Sequence, residues 1–205
     1  GAGERAFSAG ADLVSMAASS ARGEAPDFRV PFGGITRKFQ CWKPIVAAIN
    51  GHCLAGGLEL ALCCDIRIAA EHAQFGLPEV TRAIIPGAGG TQRVPRAIPA
   101  AAAMHLLLTG GRFDAQWALR FGLVSEIVAP EALLPRALDI AGEICRNGPL
   151  AVRAVKEAAL RGREVPLEEG LRIENEMGRA VIATADAREG PRAFAEKRAP
   201  RYEGR

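Results

Sequence analysis

Residues 44–69 contain the pattern that most narrows the choice of fold. Two apolar runs rich in β-branched side chains, 44–50 and 65–69, predict buried strands. The segment between them, 55–64, is rich in Leu and Ala and is opened by two glycines, which predicts a helix. A strand, a helix and a second strand in so short a stretch form a βαβ crossover with parallel strands. An α/β fold is therefore expected.

After a third predicted strand at 123–128, the sequence pattern becomes helical. Four helices are predicted beyond it, separated by prolines and glycines, at 130–147, 149–162, 166–186 and 187–197. The third carries an amphipathic stripe that can pack inside the chain or against another subunit. Its members are Leu167, Leu171, Ile173, Met177 and Val181. We expect one domain over 1–129 followed by a helical region over 130–205.

Composition excludes several classes of protein. With 205 residues and 49% apolar content, the chain can bury a core and is not a disordered segment. Its 26 basic and 23 acidic residues give a net charge of +3, which is too balanced to indicate a nucleic-acid surface without a basic cluster. The uncharged stretch 44–58 is too short and too polar for a membrane span.

The five cysteines and three histidines do not indicate a metal site. Their spacing lacks the close pairs that form zinc sites, so no metal is predicted. The cysteines are interpreted as small buried thiols in a reducing compartment, either the cytoplasm or, in a eukaryote, the mitochondrial matrix. The residues are Cys41, Cys53, Cys63, Cys64, Cys145, His52, His72 and His105.

Two glutamates each end a short segment of small and apolar residues, and the carboxylate is the one chemically active group of each segment. Glu59 ends Ala-Gly-Gly-Leu-Glu and Glu79 ends Phe-Gly-Leu-Pro-Glu. Two carboxylates in one poorly solvated pocket cannot both ionise easily, so the pKa of one rises and the pair can hold one proton. Such a pair suits the addition of water across a double bond. The alternative is structural, because a helix N-terminus favours a carboxylate at Glu59 and Pro78 can simply turn the chain.

Glycines next to Glu59 predict a site for a developing negative charge. Gly56 and Gly57 precede a helix whose first N–H groups lack partners, and neither has a side chain to block a ligand. The small-residue loop at 7–13 is a plausible second source of donors, and two such amides would form an oxyanion hole. The glycine-rich stretch 87–90 lacks the Lys-Ser/Thr of a phosphate loop and is predicted to be a tight turn into a helix.

The order of these motifs resembles the enoyl-CoA hydratase/isomerase (crotonase) family along essentially the whole chain. The motifs are Ala-Gly-Ala-Asp-Leu at 9–13, Pro-Ile-Val-Ala-Ala-Ile-Asn-Gly at 44–51, Ala-Gly-Gly-Leu-Glu-Leu-Ala at 55–61, Cys-Asp at 64–65, Phe-Gly-Leu-Pro-Glu at 75–79 and Ile-Pro-Gly-Ala-Gly-Gly-Thr-Gln-Arg at 85–93. The resemblance implies a spiral of ββα units, a C-terminal helical region used in trimer and hexamer assembly, and an acyl-CoA substrate. It implies no cofactor beyond the coenzyme A that the substrate carries.

The resemblance also implies roles for individual residues. Ala11 and Gly56 match the backbone donors that hold the thioester oxygen. Glu59 and Glu79 match the two catalytic glutamates, the first as base on water and the second as acid toward the α-carbon. The implied reaction is the syn hydration of a trans-2-enoyl-CoA thioester.

Further positions match the binding surface for the substrate. Ala9 and Gly57 flank the oxyanion donors, while Phe194 and Lys197 match positions that approach the adenine and phosphates of coenzyme A, often from a neighbouring subunit. In relatives, the region corresponding to 15–32 is mobile and shapes the acyl pocket. Relatives also have further residues before the position of Gly1, so region 1–129 is expected to be a crotonase core without the family's first strands.

Two alternatives remain from the sequence. Segments 57–67, 85–98 and 200–204 look like the methylglutaconyl-CoA hydratase branch, some of whose members bind AU-rich RNA. Its substrate has an extra carboxylate that needs a cationic partner. The second alternative is a non-catalytic binding protein with the same fold, for example one that binds RNA through Arg37, Lys38 and Lys43. Three basic residues in such a stretch are more typical of a solvated face, so nucleic-acid binding is not favoured.

Overall fold

The computed structural model describes residues 1–24, 27 and 29–205, so part of the predicted pocket region 15–32 lies outside the described residues. These residues form two compact units. The first consists of Gly1–Phe39 and Ile45–Ala137, and the second of Gln40–Pro44 and Leu138–Arg205. No helix among the described residues is both long and apolar enough to cross a membrane.

The described strands and helices follow one another along the chain in this order. The strands are β1 (Ala6–Ser8), β2 (Val46–Ile49), β3 (His52–Leu54), β4 (Ile66–Ala70), β5 (Gln74–Gly76), β6 (Phe113–Asp114) and β7 (Glu126–Val128). The helices are α1 (Leu13–Ala21), α2 (Gly56–Ala61), α3 (Gly90–Ala97), α4 (Ala100–Thr109), α5 (Ala115–Arg120), α6 (Leu133–Cys145), α7 (Pro149–Gly162), α8 (Leu167–Ile182) and α9 (Ala185–Ala195). Helix α6 begins in the first unit and ends in the second.

Two sheets organise the first unit. One has the strand order β1-β3-β5-β6 and the other has the order β2-β4-β7. All neighbouring strands are parallel except β5 and β6. The predicted pairing of 44–50 with 65–69 is confirmed, since Val46 lies opposite Ile66 and Ile49 opposite Ala69.

The predicted crossover needs a correction, because a third strand lies inside it. Strand β3 follows β2 after a two-residue turn and joins the other sheet, and helix α2 follows β3 rather than β2. The repeating unit is therefore strand, strand, helix. The prediction missed β3 because its three residues, His-Cys-Leu, are few and carry no β-branched side chain.

The predicted strand 123–128 is only half strand. Leu123 and Val124 are fully buried, but both of their amides donate to the Ala118 carbonyl at the end of α5. The ladder with β4 begins at Glu126. Burial in a turn thus produced the same apolar pattern as burial in a strand.

The core of the first unit joins the two sheets and their helices. Ile49, Cys53, Leu58, Phe75 and Leu106, from β2, β3, α2, β5 and α4, are all inaccessible to solvent and belong to one apolar cluster. Each such aliphatic or aromatic side chain stabilises the fold by about 1.5–3 kcal/mol relative to an exposed one. Burial on this scale fixes α2 against the β3 and β5 strands.

The cysteines follow the prediction only in part. Cys53 and Cys64 are buried, Cys41 and Cys63 are half-buried, and Cys145 is exposed near the end of α6. All five are free thiols. The interpretation of Cys145 as a buried thiol was wrong, because it lies on the solvent side of an amphipathic helix rather than in an apolar run.

The second unit consists mainly of helices. Helices α7 and α8 approach closely at Gly162 and Gly170, where a Cβ atom on Gly170 would lie 3.5 Å from the Gly162 Cα. Helix α8 ends at Ile182, earlier than predicted, because the Thr184 side chain accepts the Ala187 amide at 3.1 Å and starts α9 at residue 185.

The amphipathic stripe of α8 is only partly covered within the chain. Ile173 is the one residue of this helix that is buried, whereas Leu167 is 77% exposed and Ile182 is 75% exposed. The carboxylate of Asp186 accepts the Glu203 and Gly204 amides at 2.8 and 2.9 Å, which fastens the last residues to α9.

A substitution at Gly57 tests the packing of α2 against β1. A Cβ atom at this position would clash with the carbonyl oxygen of Ser8 in β1, and backbone cannot move aside as a flexible side chain can. We expect Gly57→Ala to lower the free energy of unfolding by about 2 kcal/mol or more, as measured by urea denaturation. The matched control is Gly178→Ala in α8, where a Cβ atom meets nothing within 4 Å and stability should stay equal or rise. Equal effects of the two substitutions would contradict the packing argument.

Candidate functional site

Glu59 is positioned by an abrupt change from strand to helix. Ala55 joins β3 to α2 with φ 51° and ψ −130°, a conformation that residues with a side chain rarely adopt. Its amide donates to the Gly76 carbonyl of β5 at 2.9 Å, so the junction is held by the neighbouring strand. The helix begins at the next residue and carries Glu59 in its first turn, where the side chain is only 2% exposed.

One carboxylate oxygen of Glu59 is held by two backbone amides. Ala88, in the turn before α3, and Gly90, the first residue of α3, both donate to Oε1 at 2.7 Å. A Cβ atom at Gly90 would lie 2.8 Å from the Pro86 Cβ and 3.1 Å from this same oxygen. Glycine is therefore needed at 90 for the amide to reach Glu59. The predicted tight turn at 87–90 leading into a helix is confirmed.

Glu79 is the second buried carboxylate of the site. It lies in a 3₁₀ turn, Pro78–Arg82, and is 8% exposed. Its Oε2 atom is buried and accepts no hydrogen bond from the described residues. A buried carboxylate oxygen without a partner is costly in the ionised form and is more easily accommodated as a carboxylic acid.

The pKa values of the two carboxylates are both raised. Burial is the main cause for Glu59, and it outweighs the opposing effects of the Gly90 and Ala88 amides and of the charges on Arg93 and Arg37. Burial also raises the pKa of Glu79. Its own amide opposes this, the Glu59 charge raises the pKa further, and Arg82 lowers it. The Glu59 charge thus acts on Glu79, which links the ionisation of the two carboxylates.

The backbone amides of Ala11 and Gly56, both in the first unit, are candidates to bind an oxygen. Neither the Ala11 amide nor the Gly56 amide donates a hydrogen bond to any other described residue. A Cβ atom at Gly10, where φ is 91°, would lie 2.8 Å from the Ala55 Cβ and 2.9 Å from the Gly56 nitrogen. The loop after β1 therefore rests against the first residue of α2, and Gly10 allows this close approach.

The predicted site residues fall into two groups. Ala9, Ala11, Gly56, Gly57, Glu59 and Glu79 all belong to the first unit. Phe194 and Lys197 belong to the second unit, at the end of α9. Phe194 is 87% exposed, and its carbonyl accepts the Lys197 amide at 3.1 Å.

Two neighbours of the site were missed by the sequence analysis. The Phe32 ring covers Gly56, since three of its atoms would lie 2.9–3.2 Å from a Cβ atom there. Arg93 donates from Nη1 to the Ala88 carbonyl at 2.9 Å and from Nη2 to the Thr36 carbonyl at 2.7 Å. An isolated Phe or Arg carries no signal of such contacts. Among the described residues there is no cluster of three or more His, Cys, Asp or Glu that could hold a metal ion.

Comparisons with known proteins agree along the whole chain. The family model described as enoyl-CoA hydratase/isomerase matches residues 1–205. An (E)-benzylidenesuccinyl-CoA hydratase from Thauera aromatica is 44% identical over 211 residues, covering 100% of this chain and 79% of the relative. A crotonyl-CoA hydratase from Syntrophomonas wolfei is 45% identical over 199 residues, covering 97% of this chain and 76% of the relative. The crystal structure of an enoyl-CoA hydratase from Bacillus anthracis superposes with a TM-score of 0.92 at 48% identity, covering 100% of this chain and 80% of that one.

Glu79 predicts a pH-dependent stability that can be measured without any ligand. Because its folded pKa lies above the unfolded value of about 4.3, the folded state holds the proton more tightly. The contribution of Glu79 to the free energy of unfolding is therefore fully present below its unfolded pKa. It is lost as pH rises through its folded pKa. Glu79→Gln cannot ionise, so we expect its thermal midpoint to exceed that of the wild type at pH 8 and to match it near pH 4.

Glu71→Gln serves as the control for this experiment, because Glu71 is exposed. Its thermal midpoint should follow that of the wild type at every pH between 4 and 8. A difference between Glu79→Gln and the wild type that stays constant with pH would contradict the expected ionisation of Glu79.

Proposed function

Since the chain belongs to the enoyl-CoA hydratase/isomerase family, we propose that Glu59 and Glu79 carry out its enoyl-CoA hydratase reaction, the addition of water across the 2,3 double bond of a trans-2-enoyl-CoA thioester. The family and the α/β crotonase fold with a C-terminal helical region are as predicted from the sequence. The observation that carries the proposed roles is that the first unit holds two buried glutamates, the charge of one raising the pKa of the other, and two backbone amides without a partner among the described residues.

The amides of Ala11 and Gly56 form the oxyanion hole of the proposed reaction. An enoyl thioester is electrophilic at its β-carbon, and attack by water moves negative charge onto the thioester oxygen. Two N–H groups directed at that oxygen stabilise the resulting enolate. Removal of one such donor commonly lowers the rate by about 10²–10³. Support comes from the contact of Gly10 with the start of α2 and from the lack of other partners for both amides among the described residues.

The two glutamates share the proton transfers. Glu59 acts as the base that takes a proton from water, and its fixed Oε1 leaves Oε2, which accepts no hydrogen bond from the described residues, for that water. Glu79 acts as the acid that protonates the α-carbon. Its buried Oε2, which accepts no hydrogen bond in the described part of the chain, and its raised pKa favour the protonated form that this step needs. Both transfers from one face of the double bond give syn addition.

Phe194 and Lys197 of the second unit are proposed to contact the adenine and phosphates of coenzyme A, as the matching positions of relatives often do from a neighbouring subunit. Lys197 supplies a positive charge for a phosphate, and the exposed ring of Phe194 supplies a flat apolar surface for adenine. In this proposal the coenzyme A is part of the substrate, and no separate cofactor takes part. Ala9 and Gly57 line the path near the thioester.

The substitutions Glu59→Gln and Glu79→Gln test the catalytic roles. Each removes a proton-transfer group but keeps the size of the side chain, so we expect kcat for hydration of crotonyl-CoA to fall by about 10²–10⁴ with a small change in KM. The measurement is the loss of ultraviolet absorbance of the conjugated thioester, with Glu71→Gln as control. A panel of longer 2-enoyl-CoA thioesters and methylglutaconyl-CoA defines the substrate range. Near-normal hydration by either glutamate variant would refute its assigned role.

The second unit is proposed to assemble the chain into a homotrimer or homohexamer. Leu167 and Ile182, at the two ends of α8, leave large apolar side chains uncovered within the chain. We expect light scattering to give three or six times the chain mass of 21.6 kDa. A particle of one chain mass at micromolar concentration would contradict this assembly.

A further inference from the structure

Arg93 donates hydrogen bonds to the turn before α3, and an amide of the same turn binds the Glu59 carboxylate. The guanidinium is half-buried on α3 and donates to the carbonyls of Ala88 and Thr36. Thr36 is itself buried, and its hydroxyl donates to the Phe32 carbonyl at 3.0 Å. Arg93 therefore joins the turn before α3 to the segment that covers Gly56.

Ala88 makes the connection between Arg93 and the carboxylate. Its carbonyl accepts from Arg93 at 2.9 Å, while its amide donates to Glu59 Oε1 at 2.7 Å. The neighbouring Gly89 has φ 109°, and a Cβ atom there would overlap Nη1 of Arg93. Gly89 therefore leaves room for the guanidinium and permits the left-handed backbone conformation at this position.

We propose that Arg93 is a positioning residue for Glu59, fixing the 86–90 turn so that the Ala88 and Gly90 amides point together at Oε1. This inference rests on the proposed function, in which Oε2 of Glu59 takes the proton from water. Arg93 touches none of the reacting atoms in this scheme. Its effect is transmitted through the turn, and a displacement of a catalytic group by about 1 Å can lower a rate by about 10².

The charge of Arg93 adds a second effect on the same carboxylate. The charged and titratable groups around Glu59 are Arg93, Arg37, Glu79 and Cys63. Arg93 and Arg37 lower the pKa of Glu59 against burial, and Arg93 does so more strongly. Arg37 donates to the Gly87 carbonyl at 2.5 Å, so both arginines hold adjacent carbonyls of the turn. Loss of the Arg93 charge should move the pKa of Glu59 upward.

Two substitutions of Arg93 separate the geometric effect from the charge. Arg93→Met removes both, whereas Arg93→Lys keeps the charge but lacks the planar fork that reaches two carbonyls. For Arg93→Met we expect kcat with crotonyl-CoA to fall by about 10- to 100-fold, with little change in KM, and the acid limb of the kcat/KM profile to move to higher pH. For Arg93→Lys we expect a smaller loss in kcat and an acid limb close to that of the wild type.

Arg112→Gln is the control, because Arg112 is an exposed arginine of the same unit outside the groups that act on Glu59. It should keep both the rate and the pH profile of the wild type. Unchanged kcat and pH profile in Arg93→Met would overturn the proposal, and so would a lower kcat with an unmoved acid limb. If Arg93→Met does not fold, a wild-type kcat in Arg93→Lys overturns it.

Hydrogen exchange measured by mass spectrometry gives a readout that needs no substrate. The Ala88 and Gly90 amides should exchange faster in Arg93→Met and Arg93→Lys than in the wild type or Arg112→Gln. If the wild type hydrates no enoyl thioester but this acceleration is seen, the proposed function fails while the positioning of Glu59 by Arg93 is supported. Equal exchange of these amides in all four proteins would overturn the positioning.

Discussion

Helix α2 meets strand β1 backbone to backbone, and the site depends on this contact. Gly57 has no side chain, so its Cα can lie against the Ser8 carbonyl, and Gly10 has none, so the following loop can lie against Gly56. The two amides of the proposed oxyanion hole become neighbours through these approaches. The same helix carries Glu59 in its first turn. A single packing arrangement of small residues thus brings together the donors and a carboxylate.

The burial of two acids in this arrangement costs stability, and the structure offsets that cost unequally. Glu59 receives two backbone hydrogen bonds and the field of two arginines, whereas one oxygen of Glu79 is buried without any partner among the described residues. In the proposed mechanism, this asymmetry matches the role of Glu59 as the base and of Glu79 as the acid. Different environments around two paired acids make their pKa values differ, which is a physical basis for distinct base and acid roles.

Long periodic segments could be predicted from the sequence, and short or contact-defined features could not. The pairing of β2 with β4 and the bounds of α7 follow from runs of apolar residues and flanking prolines. Strand β3 has only three residues, and the end of α8 depends on the Thr184 cap. The glutamates and glycines of the site stood out because their residue types limit what they can do. Phe32 acts through a contact with a distant backbone, which no local pattern encodes.

The unusual backbone of Ala55 has a consequence for how the site meets its ligand. Conformations of this kind cost about 1–3 kcal/mol and persist only where the surrounding structure enforces them. Here that enforcement comes from the β5 partner and the buried face of α2. The first unit itself therefore fixes the conformation of Ala55 and, with it, the direction of the Gly56 amide. In the proposed reaction, the direction of the Gly56 amide is set when the chain folds and not anew in each catalytic cycle.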